Sequence, residues 1–190
     1  MTVNKILIGA AFALAPALAH AQDWTGNYAG FSFGGSDITA TVKPLDNLEL
    51  DGDGGSTGLF AGYNVQRGNL VYGVEFDFDA TNYNVSDLVL VESTSRLKAR
   101  VGTPLGNGLA YGVAGVVGAS TNSVLPDDPG LAPVNGFAVQ DGVGYLVGAG
   151  YDMKFGDNLI AGAEVLYHEF DDDALNVEVT TLRLRVGYSF

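Results

Sequence analysis

Three acids, Glu75, Asp77 and Asp79, recur at every second position, and three bases, Arg96, Lys98 and Arg100, repeat that spacing further on. Glu164 is followed by another basic pair at the same spacing, Arg183 and Arg185. A spacing of two puts side chains on one face of a β-strand. Carboxylates so arranged could work as acid and base, or hold a cation. Rows of opposite sign on neighbouring antiparallel strands can instead pair, and such cross-strand pairs are favourable. Buried charges are tolerated only when paired. Each acidic row here has a basic row to meet it. The spacing therefore predicts an ion-pair network of Glu75, Asp77, Asp79 and Glu164 with Arg96, Lys98, Arg100, Arg183 and Arg185.

The other candidates for chemistry are weaker. His168 is the only histidine outside the N-terminal leader. A catalytic histidine needs a nucleophile within reach and a third group to orient it. No motif places a serine beside His168, and the local His-Glu-Phe is not a zinc-binding HExxH. His168 is expected as a polar residue on the charged face. Residues 49–54 (ELDGDG) resemble half of a calcium loop, but Phe60 stands where a bidentate glutamate would close it. Asp171, Asp172 and Asp173 read as a solvated acidic stretch. The glycines from Gly144 to Gly150 follow strand alternation and not a phosphate-binding loop. No catalytic, cofactor or metal site is predicted.

Composition narrows the field further. The chain has 190 residues, one domain's worth, with no cysteine and a net charge of −13. Thiol catalysis, disulfide scaffolds and cysteine-ligated zinc are excluded. So acidic a chain is a poor partner for nucleic acid, whose phosphates are bound by cations. The opening residues carry Lys5, an apolar run from Ile6 to Ala19, and the small-x-small sequence Ala19-His20-Ala21. That is the form of a secretory signal peptide. The apolar run is 14 residues, against about 20 for a spanning helix. Residues 1–21 are expected to be removed, and 22–190 to form one exported domain.

The mature chain has a period of two, the strand signal. Leu70, Tyr72, Val74, Phe76 and Phe78 share one face, opposite Glu75, Asp77 and Asp79. Leu97, Ala99 and Val101 stand opposite Arg96, Lys98 and Arg100. The chain end sets Leu182, Leu184, Val186, Tyr188 and Phe190 against Arg183 and Arg185. Five more segments are assigned apolar faces: Ala29, Phe31 and Phe33; Leu59, Ala61, Tyr63 and Val65; Leu109, Tyr111, Val113 and Val117; Val143, Tyr145, Val147, Ala149, Tyr151 and Met153; and Leu159, Ala161, Ala163, Val165 and Tyr167. This predicts eight strands of roughly ten residues, the length that crosses a bilayer when tilted. Short turns near Gly68, Gly106 and Gly156 alternate with long connections at 36–56, 80–93, 120–141 and 169–178. The expected fold is all-β, an eight-stranded antiparallel up-and-down transmembrane β-barrel.

The other face is rich in small residues, among them Gly62, Gly73, Gly102, Ala110, Gly112, Ala114 and Gly148. Small residues and paired charges suit a narrow lumen that side chains just fill. Tyr63, Tyr72, Tyr111, Tyr151 and Tyr188 sit on the apolar face near the short-turn rim, as an aromatic girdle at a membrane–water interface would. The four long connections hold 15 acids and one base, Lys43, a net of −14. Weak divalent-cation association is expected there, at Asp46, Glu49, Asp51, Asp53 and Asp171 to Asp173.

Several stretches together resemble the small outer-membrane β-barrel proteins of Gram-negative bacteria, of the porin-family or surface-antigen type. They are WTGNYAGFSFGG, GLFAGYNVQRGNLVYGVEFDFD, STSRLKARVG, VGYLVGAGYDMKFGDNLIAGAEVLY and the ending TLRLRVGYSF. The resemblance covers nearly all of the mature chain. It implies an outer-membrane location, outer-membrane lipid as surroundings and a non-enzymatic structural or surface-interaction role. It also implies that Tyr188 and Phe190 form the C-terminal signal read by the outer-membrane assembly machinery. A narrow diffusion pore is the alternative, and a lipid-acting outer-membrane enzyme the second alternative.

Overall fold

A computed structural model of the chain describes residues 22–42, 48–85, 89–123, 143–171 and 175–190. The expected leader lies outside the described residues. Eight strands follow in order: β1 (Gly26–Val42), β2 (Leu48–Arg67), β3 (Leu70–Val85), β4 (Val89–Leu105), β5 (Gly108–Ser123), β6 (Val143–Phe155), β7 (Leu159–Asp171) and β8 (Leu175–Ser189). Each pairs antiparallel with the next, and β8 returns to β1, closing the barrel. Closure leaves no open edge, so the backbone groups bond within the sheet, as a lipid environment demands. Gly68, Gly106 and Gly156 turn the three short hairpins at φ of +60°, +63° and +64°. Only glycine enters that region without steric cost.

The strands run 13 to 20 residues, well beyond the expected ten. Much of what the sequence suggests as loop is extended hairpin. β1 continues to Val42 and β2 begins at Leu48, so most of 36–56 is strand. Most of 80–93 and 169–178 is strand as well. Apolar alternation stops where lipid stops, but a hairpin partner remains available beyond that level and the ladder continues. Asp37, Asp51 and Asp53 are exposed on these extensions.

The barrel is inside-out relative to a water-soluble protein. Phe31, Phe33, Leu59, Val74, Phe76, Phe78, Leu97, Leu182 and Leu184 are exposed. Arg96, Lys98, Arg183 and Arg185 are among the largest fully buried side chains. Charged residues are almost never that buried unless paired, and an apolar outer wall of this extent has lipid as its natural solvent.

β5 runs against the expected parity. Leu109, Tyr111, Val113 and Val117 point inward and are buried, whereas Gly112 and Ala114 are exposed on the outer wall. Ala110, likewise expected inside, shares their outward phase. The register explains this. Directly opposed residues share a face, and Arg96 and Arg100 oppose Val117 and Val113. Both faces of β5 are apolar or small, so alternation alone carries no phase. Its bulky inward residues join Leu146 of β6 and Leu166 of β7 in one buried apolar cluster inside the barrel.

Candidate functional site: the charged lumen

The inward residues of β3, β4, β6, β7 and β8 converge on one buried network. Five acids, Glu75, Asp77, Asp79, Asp152 and Glu164, meet five bases, Arg96, Lys98, Arg100, Arg183 and Arg185, and none is more than 2% exposed. Formal charge in the network cancels. Register provides part of the pairing: Glu75 lies opposite Lys98 and Glu164 opposite Arg183. Contacts across the lumen provide the rest.

At the centre, the Lys98 ammonium lies 2.7 Å from Glu75, 2.8 Å from Asp77 and 2.8 Å from Glu164. Oxygens of those three carboxylates fall within 4.8 Å of one another, close enough for a metal centre. Lys98 stands among them as the counter-cation. Arg183 joins Asp77 at 2.6 Å, Asp79 at 3.2 Å and Glu164 at 3.2 Å. Arg185 joins Glu75 at 2.6 Å and Glu164 at 3.2 Å. Arg100 joins Glu75 at 3.1 Å and Asp152 at 2.8 Å. Arg96 closes the upper end on Asp79.

Three members of this constellation escape the sequence reading. Asp152 holds Arg100, although its own strand carries no acid row to draw attention to it. The Tyr28 hydroxyl donates to Glu75 at 2.8 Å and accepts from Arg100 at 2.9 Å. Its signal is parity with Gly30, on the non-lipid phase of the first strand. Tyr111 was expected in the outer girdle, and the structure overturns this. The ring is buried, with the Arg100 guanidinium 3.8 Å from its centroid. Its hydroxyl donates to Glu164 at 3.3 Å and Asp152 at 3.4 Å. The cause is the β5 phase described above.

The other proposed girdle residues face outward. Tyr63 and Tyr188 are exposed, and Tyr72 and Tyr151 are half-buried on the outer wall. Phe190 is 70% exposed, its ring edge-on to Tyr188 at 5.5 Å. Its backbone N–H donates to Asn27 at 2.9 Å, which ties the chain end to β1.

His168 is buried above the network. Arg96 Nε donates to its Nε2 at 2.9 Å, and its Nδ1 lies 3.3 Å from the Val179 carbonyl. Nδ1 is therefore the donor, and neither ring nitrogen is left to activate a nucleophile. The half calcium loop is also not a loop: residues 49–54 belong to β2 and pair with β1. Asp46, Asp172 and Asp173 lie outside the described residues.

The profile of the family described as outer membrane protein beta-barrel domain matches residues 6–190. The 25 kDa outer-membrane immunogenic protein of Brucella abortus is 27% identical over 187 residues, covering 91% of this chain and 82% of that protein. Among solved structures, OprG of Pseudomonas aeruginosa has a TM-score of 0.54 at 16% identity, over 87% of this chain and 96% of its own. Neisserial surface protein A has a TM-score of 0.54 at 15% identity, over 87% of this chain and 98% of its own. Both likenesses are of fold. Inverted burial, closed eight-strand topology and the family match agree: the chain belongs to the outer-membrane β-barrel domain family and is an integral protein of the Gram-negative outer membrane.

Proposed function

We propose that the protein is a non-enzymatic, non-conducting barrel that has a structural role in the outer membrane and presents its acidic extensions at the cell surface. One observation carries this reading. The lumen is occupied by a charge-neutral network whose ten members are all buried. Open diffusion channels use roughly 16 to 18 strands, whereas an eight-stranded interior is only wide enough for side chains. A narrow pore would need the central salt bridges to part, leaving charges unpaired.

The surface part of the reading draws support from relatives. The Brucella protein is named as immunogenic, and the Neisserial protein is named as a surface protein. Outer-membrane lipid covers the apolar wall, and the assembly machinery reads Tyr188 and Phe190. Divalent cations associate weakly with the acidic rim. The test is planar-bilayer conductance of refolded protein. No discrete conductance steps are expected. Steps of a size that hydrated ions require would overturn the reading in favour of a pore.

A further inference from the structure

The four residues before β1 are not part of the sheet, yet they are held firmly. Trp24 is 4% exposed and belongs to the buried cluster that contains Val71, Leu109 and Ile160. Its backbone N–H donates to Gln66 Oε1 at 2.9 Å, and Gln66 N–H donates to Thr25 Oγ1 at 3.1 Å. Both bonds reach β2. On the side of β6 and β7, Lys154 Nζ donates to the Asp23 carbonyl at 2.6 Å and lies 4.9 Å from the centre of the indole ring. Gln22 Nε2 donates to the Gly156 carbonyl at 3.3 Å. Thr25 N–H donates to Asp23 Oδ1 at 2.8 Å, and this bond holds the Asp23 carboxyl below its usual range. The segment thus spans the mouth of the barrel at the short-turn rim, pinned on two sides with its ring pointing in.

We infer that residues Gln22–Thr25 form a stopper for the periplasmic mouth, with Trp24 as the plug and Gln66 and Lys154 as its catches. The stopper swings at Gly26. That residue has φ of +135°, and a Cβ there would stand 2.7 Å from the Phe190 carbonyl oxygen, so no other residue is easily accommodated. None of the catches is a sheet hydrogen bond. The plug can therefore leave while the barrel stays closed. Its departure would expose the apolar floor at Val71, Leu109 and Ile160, and would leave Lys154 without its indole partner. Water would then reach the lower end of the ion-pair network, at Asp152 and Arg100. This inference deepens the sealed-barrel reading and rests on it.

Two features of the chain make the test direct. Trp24 is the only tryptophan and there is no cysteine. In refolded protein in vesicles, Trp24 emission is expected to resist quenching by both aqueous acrylamide and brominated lipid. A plug in the mouth is hidden from both phases. A Val71→Cys variant, whose new thiol is the only one, is expected to react slowly with a water-soluble maleimide. Adding Trp24→Ala should raise that rate about tenfold or more, as expected when a locally protected site is opened. Band mobility of unheated samples reports that each barrel is folded. If Trp24→Ala does not fold, Gln66→Ala and Lys154→Met release the catches while keeping the indole, and each should increase acrylamide quenching.

Unchanged labelling without Trp24, or quenching unchanged by release of the catches, would overturn the stopper. So would a Trp24 that acrylamide or brominated lipid quenches freely in the unaltered protein. Discrete conductance steps in the unaltered protein together with a protected Trp24 would instead remove the sealed-barrel reading and leave the plug in place.

Discussion

Arg185 and Glu75 meet fork to fork across the lumen, with Nη1 2.9 Å from Oε1 and Nη2 2.6 Å from Oε2. They lie on β8 and β3, which are separated in the barrel by β1 and β2. Bidentate geometry makes this the strong form of a charged hydrogen bond. Glycines on the intervening β2 leave room for network members around the pair. A Cβ at Gly62 would collide with the Tyr28 ring, and one at Gly58 with the Asp79 carboxylate. These two glycines lie against buried members of the network, Tyr28 and Asp79.

Removing one central charge should destabilise the barrel strongly. Lys98→Met leaves three buried carboxylates short of a cation, and the expected cost is about 3–5 kcal/mol. Adding Glu164→Gln should recover part of it by removing one surplus charge. Urea unfolding followed by mobility of unheated samples measures both. A Lys98→Met barrel as stable as the unaltered one would contradict the network.

Tyr111 and Tyr63 should behave differently on loss of their hydroxyls. Tyr111→Phe removes a buried donor to two carboxylates at the long end of hydrogen-bond range, with an expected cost of about 1 kcal/mol. Tyr63→Phe, on the outer wall, should change stability by no more than about 0.5 kcal/mol. The reverse order in the same unfolding assay would return Tyr111 to the girdle.

Deletion of Phe190 should impair assembly more than stability. The residue contributes one backbone bond to Asn27 and an exposed ring. The truncated chain is expected to refold in detergent with a near-normal urea midpoint, yet to reach the outer membrane in reduced yield. Normal yield in cells would remove the assembly role of Tyr188 and Phe190.

The outer acidic extensions should take up divalent cations weakly. Asp37 lies directly opposite Asp53, and Glu169 opposite Glu178. Like charges in such positions repel, and screening by salt relieves them. Calorimetric titration with Ca²⁺ is expected to show weak uptake at low ionic strength that fades as salt rises. A single tight, salt-insensitive site would reveal a true coordination centre, and no uptake at low salt would dismiss the association.

Alternation in the sequence was enough to determine the barrel, its lipid-facing wall on seven strands and nine of the ten network charges. The reason is local: a period of two assigns faces without knowledge of any partner, wherever one face is polar and the other apolar. β5 lacks that contrast, and its phase came from pairing with β4, a long-range fact. Tyr111 followed β5 inward for that reason. Strand ends were likewise illegible, because hairpin pairing outlasts the hydrophobic signal once the chain leaves lipid. Only closure of the barrel set Arg185 against Glu75 and Arg183 against Asp77, since strands that are not neighbours face each other only when the sheet is curved shut. Asp152 and the plug of Trp24 belong to the same class. Their partners, Arg100 and Lys154, are remote in sequence and meet them only across the curvature of the finished barrel.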